Sequence, residues 1–214
     1  MSQVKSRQRV TDHGEVFTSE REVTAMLDLV KQETERIDSR FLEPACGTGN
    51  FLTEILRRKL NIVAERYGKN QLEYERYSIL ALSSIYGIDV LKDNVIECRE
   101  RLLKQAIEAY DVLFFLNIKK EYEETAQFLC SKNIILGDAL TLMDLNGKNP
   151  IVFSEWSAVN GSIIKRRDYT MVNLLQSQPM DEPNLFSDLG DQAFIPTPVA
   201  EYPLTHFLKL AEYA

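Results

Sequence analysis

Residues 43–51 read Glu-Pro-Ala-Cys-Gly-Thr-Gly-Asn-Phe, and this stretch decides the predicted fold. It follows a short predicted strand, residues 40–42 (Arg-Phe-Leu), and precedes apolar residues spaced for one helix face: Phe51, Leu52, Ile55, Leu56 and Leu60. Glycines in such a strand-to-helix turn let the backbone take positive φ, and a ligand can approach closely because no Cβ intervenes. The N–H groups of the helix start then point at that ligand. The stretch therefore favours a nucleotide-type binding turn over a purely structural one.

Two further strand-like segments carry an acid at or near their end, as the first predicted strand does with Glu43. Residues 86–90 (Tyr-Gly-Ile-Asp-Val) contain Asp89, and residues 133–138 (Asn-Ile-Ile-Leu-Gly-Asp) contain Asp138. Helical periodicity predicts helices between and around these strands, at 71–85, 94–110 and 121–131. Strands that alternate with helices indicate βαβ units, and residues 150–153 are the candidate fourth strand. The predicted fold class is therefore α/β with a mostly parallel sheet.

The acids that end these strands are predicted to meet at the carboxyl edge of the sheet, where doubly wound folds bind ligands. Glu43 is positioned for the ammonium group of an amino-acid-like ligand. Asp89 can accept both hydroxyls of a ribose, and Val90 after it can pack on an adenine face. Asp138 can accept a hydrogen bond from the adenine amino group. Each acid alone is commonly a solvated strand end, but the three together favour a binding site.

The two ends of the chain are predicted to differ in order. Ser19 and Glu22 have capping-box spacing, which predicts a helix that starts after Ser19. Prolines punctuate the C-terminal segment and exclude long regular elements there: Pro179, Pro183, Pro196, Pro198 and Pro203. We therefore expect one domain over residues 1–175 and a proline-rich tail over residues 176–214, with a short helix in residues 205–214.

The composition is that of an ordinary globular protein, with a net charge of -7 at pH 7. No apolar run reaches the roughly 18 residues of a membrane span, and the polar N-terminus lacks the apolar core of a secretory signal. Three cysteines without a Cys-x-x-Cys pair, and only two histidines, argue against a zinc site and a disulfide framework. We therefore expect a cytoplasmic protein without membrane contact or metal. The acidic charge disfavours a nucleic-acid interface over the whole surface, although Lys165-Arg166-Arg167 forms a local basic cluster.

Four segments together resemble the S-adenosylmethionine-binding motifs of N6-adenine-specific DNA methyltransferases. They are the N-terminal Gly-Glu-Val-Phe-Thr-Ser, the turn at 43–51, and the two strand ends that carry Asp89 and Asp138. The resemblance covers Gly14 to about Leu140 and is closest to the modification subunits and fused methylases of restriction-modification systems. It implies a Rossmann-like methyltransferase fold, S-adenosyl-L-methionine as cofactor, and DNA as substrate, reached directly or through a partner subunit.

The same resemblance implies cofactor contacts residue by residue. The Phe-Thr segment of the family holds the methionine carboxylate, and it maps onto Phe17 and Thr18. The cofactor-binding residues that the resemblance implies are Phe17, Thr18, Glu43, Ala45, Gly47, Gly49, Asn50, Asp89, Val90, Asp138 and Ala139. It implies no metal ligand.

The chain departs from the family after the predicted fourth strand. Family members carry an Asn/Asp/Ser-Pro-Pro-aromatic motif there, which accepts hydrogen bonds from the target amino group and stacks on the flipped base. This chain has no Pro-Pro, and its candidate catalytic residues are Ser154, Glu155 and Trp156. Ser154 and Glu155 are the candidate acceptors, and Trp156 is either a base-stacking residue or a buried packing residue. About 58 residues follow Trp156, so we expect the sheet to stop after its fourth strand.

Three functions stay open at this point. The first is methyl transfer to DNA within a restriction-modification system. The second is a non-catalytic cofactor-binding or interaction subunit that needs a partner chain, which the missing Pro-Pro favours. The third is a methyltransferase for a non-DNA substrate, which the acidic charge would suit. Because a truncated parallel sheet exposes an edge, we also expect a protein partner or a homo-oligomer, with the basic cluster and the tail as its contacts.

Overall fold

The computed structural model describes residues 7–13, 16, 18–115, 117–175 and 196–213 of the chain. It shows a mixed α/β architecture with two sheets. The helices are α1 (Arg7–His13), α2 (Glu20–Asp28), α3 (Lys31–Thr34), α4 (Asn50–Tyr67), α5 (Gln71–Ser83), α6 (Lys92–Phe114), α7 (Lys120–Asn133) and α8 (Met171–Leu175), and a 3-10 helix spans Phe207–Tyr213. The strands are β1 (Phe41–Glu43), β2 (Ile85–Asp89), β3 (Ile134–Leu136), β4 (Val152–Asn160), β5 (Ile163–Thr170), β6 (Ala200–Glu201) and β7 (Thr205–His206).

The first sheet is parallel and three-stranded, in the order β1-β2-β3. Each crossover contains two helices, α4 and α5 between β1 and β2, and α6 and α7 between β2 and β3. Strand β2 is central and buried along its whole length, as its nearly uninterrupted apolar sequence requires. The predicted parallel arrangement of the three acid-ended strands is therefore confirmed, and their carboxyl ends share one edge of the sheet.

The helix starts follow local sequence signals. The predicted capping box forms at α2, where the Ser19 side chain accepts from the Glu22 N–H and the Glu22 carboxylate accepts from the Ser19 N–H at 3.0 Å. Asn70 caps α5 by accepting a hydrogen bond from the N–H of Glu73. Helix α4 has no side-chain cap, because its N-cap residue is Gly49. Its first N–H groups therefore lie beside the glycine turn without a side-chain acceptor.

The fourth strand does not extend the parallel sheet, so the prediction of a mostly parallel sheet is wrong in this half of the chain. Strand β4 instead pairs antiparallel with β5, and β6 and β7 each pair with β5 in the same four-stranded sheet. Asn160-Gly161 begins the turn between β4 and β5, and Gly161 has φ 53°. An Asn-Gly pair is a strong hairpin signal, because both residues tolerate positive φ. This antiparallel sheet does not fit a Rossmann-like methyltransferase fold.

The C-terminal residues fold back onto the rest of the chain. Strands β6 and β7 pair with opposite ends of β5, and the 3-10 helix packs against α7. Phe207 and Leu210 of this helix are buried in the core. Two short strands and a 3-10 helix thus occupy the C-terminal part of the expected tail, where a short helix over residues 205–214 was predicted. Residues 176–195 of that tail lie outside the described residues.

Two buried hydrogen bonds tie the antiparallel sheet to the parallel half of the molecule. The Tyr86 hydroxyl of β2 donates to the backbone carbonyl of Ser154 on β4 at 2.9 Å. The Trp156 indole Nε1–H donates to Asn133 Oδ1 at the end of α7, also at 2.9 Å. The buried apolar side chains of both sheets belong to one hydrophobic cluster. The antiparallel sheet is therefore packed onto the parallel half by both polar and apolar contacts.

Within the described part of the chain, no helix combines the length and the apolar character that crossing a membrane requires. Over the same residues, no group of three or more His, Cys, Asp or Glu side chains is arranged to hold a metal ion. The cysteines Cys46, Cys98 and Cys130 are buried and form no disulfide.

Candidate ligand-binding site

The glycine turn between β1 and α4 adopts the backbone geometry that its sequence predicts. Gly47 has φ 52° and Gly49 has φ 86°, a region that residues with a side chain rarely occupy. Gly49 is also tightly packed, because a Cβ added to it would lie 2.6 Å from Cys98 Sγ of α6. Gly49 therefore allows close packing of the turn against α6, and it does not line the cavity that lies over the turn.

Asp89 anchors the turn from the end of β2. Its Oδ2 accepts the Gly47 N–H at 2.8 Å, and its Oδ1 accepts the Leu91 N–H at 2.8 Å. Asn94 Nδ2 also donates to Oδ1, at 3.4 Å. A carboxylate has about four acceptor positions, so Asp89 keeps capacity for ligand hydroxyls while it holds the turn. The sequence predicted that Asp89 binds ligand hydroxyls, but it did not predict that Asp89 anchors the turn.

A cavity of about 530 Å³ lies over the turn, at the carboxyl edge of the parallel sheet. Its volume is within the range typical of small-molecule sites. The predicted cofactor residues that line it are Thr18, Glu43, Ala45, Gly47, Asn50, Asp89, Val90, Asp138 and Ala139. Phe17 lies outside the described residues, so its predicted contact stays a prediction.

The described wall of this cavity is acidic. It contains Glu43, Asp89 and Asp138, and none of the described lining residues is lysine, arginine or histidine. Burial raises the pKa of Glu43, and a backbone hydrogen bond from Ala45 opposes this in part. A ligand that brings a positive charge would stabilise such a desolvated carboxylate. The wall therefore suits a cationic group and is poorly suited to several phosphates.

Exposed aliphatic side chains surround the mouth of the cavity. Val16 is 60% exposed, Val90 is 41% exposed and Leu140 is 94% exposed, and all three line the cavity. Leu140 belongs to a turn in which Asp138 Oδ1 accepts the Leu140 N–H at 2.8 Å, and Leu142 in the same turn has φ 62°. Positive φ is unusual for a leucine. The rim offers apolar surface that the face of a planar ring could cover.

A chain of hydrogen bonds links the N-terminal segment to the glycine turn. Asn50, the first residue of α4, donates through Nδ2 to the carbonyl oxygen of Thr18 at 3.0 Å. Asn50 Oδ1 accepts from Arg101 Nη1 at 2.8 Å, and the same nitrogen donates to the Thr48 carbonyl oxygen at 2.6 Å. Arg101 lies on α6, 53 positions along the chain from Thr48. Arg101 could not be predicted from the sequence, because a single arginine on a helix carries no local signal of such a contact.

The structure does not bring the three candidate catalytic residues to the cavity. Ser154, Glu155 and Trp156 lie on β4 of the antiparallel sheet, and none of them lines the cavity. The Ser154 hydroxyl donates to Asp168 Oδ1 at 2.7 Å, and the Glu155 carboxylate pairs with Arg40 at 2.8 Å. Trp156 is buried, which corresponds to the packing alternative. The Ser154 hydroxyl is thus engaged within the antiparallel sheet, and the Glu155 carboxylate ties this sheet to Arg40, which directly precedes β1.

The basic cluster Lys165-Arg166-Arg167 is engaged within the chain. Arg166 is buried and donates from Nε and Nη2 to the two carboxylate oxygens of Asp168, at 2.9 and 2.8 Å. Lys165 Nζ lies 2.9 Å from Glu201 Oε2, and Arg167 Nε lies 3.9 Å from the same oxygen. The charges of the cluster are thus balanced within the chain, and its expected contact with DNA or a partner stays a prediction.

Comparison of the chain with protein-family models, with curated proteins and with solved structures gave no match. Two observations therefore bear on function. They are the geometry of the cavity and the charge of its described wall.

Proposed function

We propose that the chain binds S-adenosylmethionine in the cavity over the glycine turn, as part of an N6-adenine-specific DNA methylase of a restriction-modification system. The observation that carries the proposal is the convergence of Glu43, Asp89 and Asp138, from the ends of three parallel strands, on one cavity with an exposed aliphatic rim. These are residues of the same segments that resemble the cofactor motifs of that family.

The chemistry of the wall favours this ligand over nucleotides that carry several phosphates. Phosphate groups are held by cationic side chains, helix N-termini or a metal ion. The described wall offers three carboxylates and no cationic side chain, so the uncapped N-terminus of α4 would have to hold several phosphates against three negative charges. S-adenosylmethionine instead brings an ammonium and a sulfonium, whose positive charges complement such a wall.

Each part of this ligand would find a partner of suitable chemistry. The Glu43 carboxylate would accept from its ammonium group, and Asp89 would accept from the ribose hydroxyls. Val90 and Leu140 would cover its adenine ring, and Asp138 would accept from the adenine amino group. When bound, the ligand supplies an electrophilic methyl group for transfer to an amino nitrogen. The chain itself contributes positioning, which lowers the entropic part of the barrier.

Calorimetry and melting curves with S-adenosylmethionine and its demethylated product test the proposal. Saturation at about 100 times the dissociation constant should add roughly 2.7 kcal/mol of stability, or several degrees in melting temperature. Asp89→Ala should weaken binding strongly, because it removes the ribose acceptors and the anchor of the Gly47 N–H. Asp38→Ala is the matched control, since this carboxylate is exposed and does not line the cavity. If neither ligand gives heat or a melting shift with the wild-type chain, the proposal fails.

A second candidate is a non-catalytic cofactor-binding subunit that a partner chain completes. The position of Ser154, Glu155 and Trp156 in the antiparallel sheet favours it, because none of the predicted catalytic set lines the cavity. Loss of one positioned hydrogen-bonding group at a reacting centre costs about a hundredfold or more in rate. The isolated chain should then bind the ligand and transfer methyl groups to duplex DNA slowly or not at all.

A radiolabelled methyl-transfer assay separates the two candidates. Binding without transfer to DNA, RNA or protein supports the non-catalytic subunit. Robust turnover on duplex DNA supports the enzyme and would mean that acceptor groups lie outside Ser154, Glu155 and Trp156. Turnover on RNA or protein alone would contradict DNA as the proposed substrate, but it would support S-adenosylmethionine as the cofactor.

A further inference from the structure

Arg101 directs its guanidinium at the glycine turn. Nη1 donates to the Thr48 carbonyl oxygen at 2.6 Å, to Thr48 Oγ1 at 3.2 Å and to Asn50 Oδ1 at 2.8 Å. Nη2 lies 3.5 Å from Thr53 Oγ1 in the first turn of α4. Its partners in the described part of the chain are thus neutral oxygens of the turn and of the helix that follows. These hydrogen bonds hold the turn to α6, although Arg101 does not line the ligand cavity.

These contacts determine which way the Asn50 amide faces. A guanidinium only donates hydrogen bonds, so the amide oxygen of Asn50 must face Arg101. The amide nitrogen then faces the Thr18 carbonyl oxygen, to which it donates at 3.0 Å. Arg101 therefore determines a hydrogen bond that it does not make itself. That bond holds Thr18, which lines the ligand cavity.

Packing alone does not confine the Asn50 side chain. A second cavity, of about 400 Å³, is lined by both Asn50 and Arg101. Asn50 also lines the ligand cavity, so open space adjoins it on two sides. A side chain with this freedom populates several rotamers unless hydrogen bonds select one. The bonds to Arg101 and Thr18 are therefore what defines the position of Asn50.

We infer that Arg101 is a positioning residue, which acts through Asn50 to hold the backbone at Thr18 against the cavity and thereby sets ligand affinity. The identity of the ligand in this inference rests on the proposed function, whereas the positioning rests on the hydrogen bonds alone. Lysine does not replace arginine in this role, because an ammonium lacks the fixed planar fork of the guanidinium.

Two substitutions break the chain of hydrogen bonds at different points. Arg101→Lys weakens the hold on Asn50, whereas Asn50→Asp keeps an oxygen towards Arg101 and removes the N–H donor for Thr18. Arg101→Lys should weaken binding of S-adenosylmethionine about tenfold, the share of roughly one hydrogen bond. Asn50→Asp also adds a carboxylate to the cavity wall, so the decisive comparison is Arg101→Lys made in the Asn50→Asp background. There the tenfold loss should disappear, because both substitutions act on the same contact. Calorimetry on the full chain measures all three.

Hydrogen exchange gives a readout that needs no ligand. Amides in residues 18–23 should exchange about tenfold faster in both variants, because the Thr18 backbone loses the same hydrogen bond. Amides in residues 152–170 of the antiparallel sheet should be unchanged. Arg99→Lys is the matched control, since Arg99 also lies on α6 but donates to the Ile134 carbonyl oxygen. Lys104→Ala, at an exposed position of α6, controls for the loss of a positive charge.

The outcomes separate the two proposals. Unchanged exchange of residues 18–23 in a folded Arg101→Lys variant overturns the positioning role, whether or not the ligand binds. Faster exchange together with no binding of S-adenosylmethionine by the wild-type chain supports the positioning role and refutes the proposed function. Fully additive losses of affinity in the double variant would show that Arg101 does not act through Asn50. If circular dichroism shows Arg101→Lys to be unfolded, Asn50→Asp carries the exchange test, and unchanged exchange in it likewise overturns the inference.

Discussion

The two sheets of this molecule treat their charged side chains in opposite ways. At the carboxyl edge of the parallel sheet, Glu43, Asp89 and Asp138 line a cavity whose described wall holds no cationic side chain. In the antiparallel sheet, acids and bases pair with one another, and the buried pair of Arg166 and Asp168 is the clearest case. The first arrangement leaves charge available to something outside the chain, and the second uses charge to hold segments of the chain together.

This difference separates polar groups with a structural role from those that are available to a ligand. A buried ion pair with both partners present fixes a packing arrangement, and Arg166 also donates to the carbonyl oxygen of Tyr213 in the C-terminal 3-10 helix. The parallel half contains a buried cation too, Lys59, but its Nζ donates to neutral oxygens of Ile37, Ser39 and Ser84. Burial lowers the pKa of Lys59 to about 7. Charged groups that meet an opposite charge inside the chain have a structural role here. The carboxylates of the cavity differ, because no cationic side chain belongs to the described wall.

The largest effect is expected from breaking the ion pair of the antiparallel sheet. Asp168→Ala leaves Arg166 buried without its carboxylate, and removing one partner of such a pair costs about 3–5 kcal/mol. Urea unfolding should report this loss, while ligand affinity per folded molecule should stay as in the wild type. Lys209→Ala is the control, because its pair with Glu212 is exposed and should contribute less than about 1 kcal/mol.

A tenfold loss of ligand affinity in a folded Asp168→Ala variant would contradict the purely structural role of this ion pair, because the antiparallel sheet would then contribute to binding. Tyr202→Phe provides a milder version of the test. It removes only the hydroxyl that donates to Asp168 Oδ2 at 3.2 Å, so it should remain folded if Asp168→Ala does not.

Replacing one glycine in each half of the molecule should have a smaller effect on the free energy of unfolding. Gly49→Ala combines left-handed backbone at φ 86° with a Cβ 2.6 Å from Cys98 Sγ, and we expect a loss of about 2–4 kcal/mol together with weaker ligand binding. Gly161→Ala in the hairpin turn has φ 53° and nothing within 4 Å of the added Cβ, so it should cost only about 1 kcal/mol of backbone strain. Chemical denaturation of both variants measures the difference. Equal losses would show that packing against α6 contributes nothing at Gly49.

The smallest change in the free energy of unfolding is expected from Glu43→Gln, which should slightly stabilise the chain and weaken its binding of ligand. The pKa of Glu43 is raised in the folded chain, so the unfolded chain holds fewer protons at this group and stability falls as the pH rises through the raised pKa. Above that range, at neutral pH, the glutamine variant should therefore be slightly more stable than the wild type without ligand. It should bind a cationic ligand about ten- to a hundredfold more weakly, because it loses a charge-assisted hydrogen bond.

The pH dependence of binding provides the control for Glu43. In the wild type, affinity for S-adenosylmethionine should fall as the pH decreases through the raised pKa of Glu43, because protons compete with the ammonium group. The glutamine variant should lack this part of the pH dependence. Calorimetry at several pH values measures both, and identical profiles would contradict the role of Glu43 as the partner of a cation.

Much of the parallel half could be predicted from the sequence. The capping box at Ser19 and the glycine turn depend on residues within a few positions of one another, and helical periodicity is equally local. The order of the parallel strands followed because alternation of strands and helices leaves few arrangements. The antiparallel sheet was missed although Asn160-Gly161 marks its turn. The resemblance to a family with a continuous parallel sheet favoured a fourth parallel strand over that signal.

Local sequence is sufficient to predict the strand, turn and helix around residues 43–51 and the acids at the strand ends, because positive φ, periodicity and strand direction are local properties. Which groups those residues meet depends on the packing of distant segments. Asp89 anchors the N–H of Gly47, 42 positions away, and Arg101 reaches Thr48 across 53 positions. Partners at such distances are selected by the packing of the whole chain, whose free energy is shared among many contacts. No pattern of neighbouring residues therefore distinguishes a paired charge such as Arg166 from the cavity acids, which have no cationic partner among the described residues.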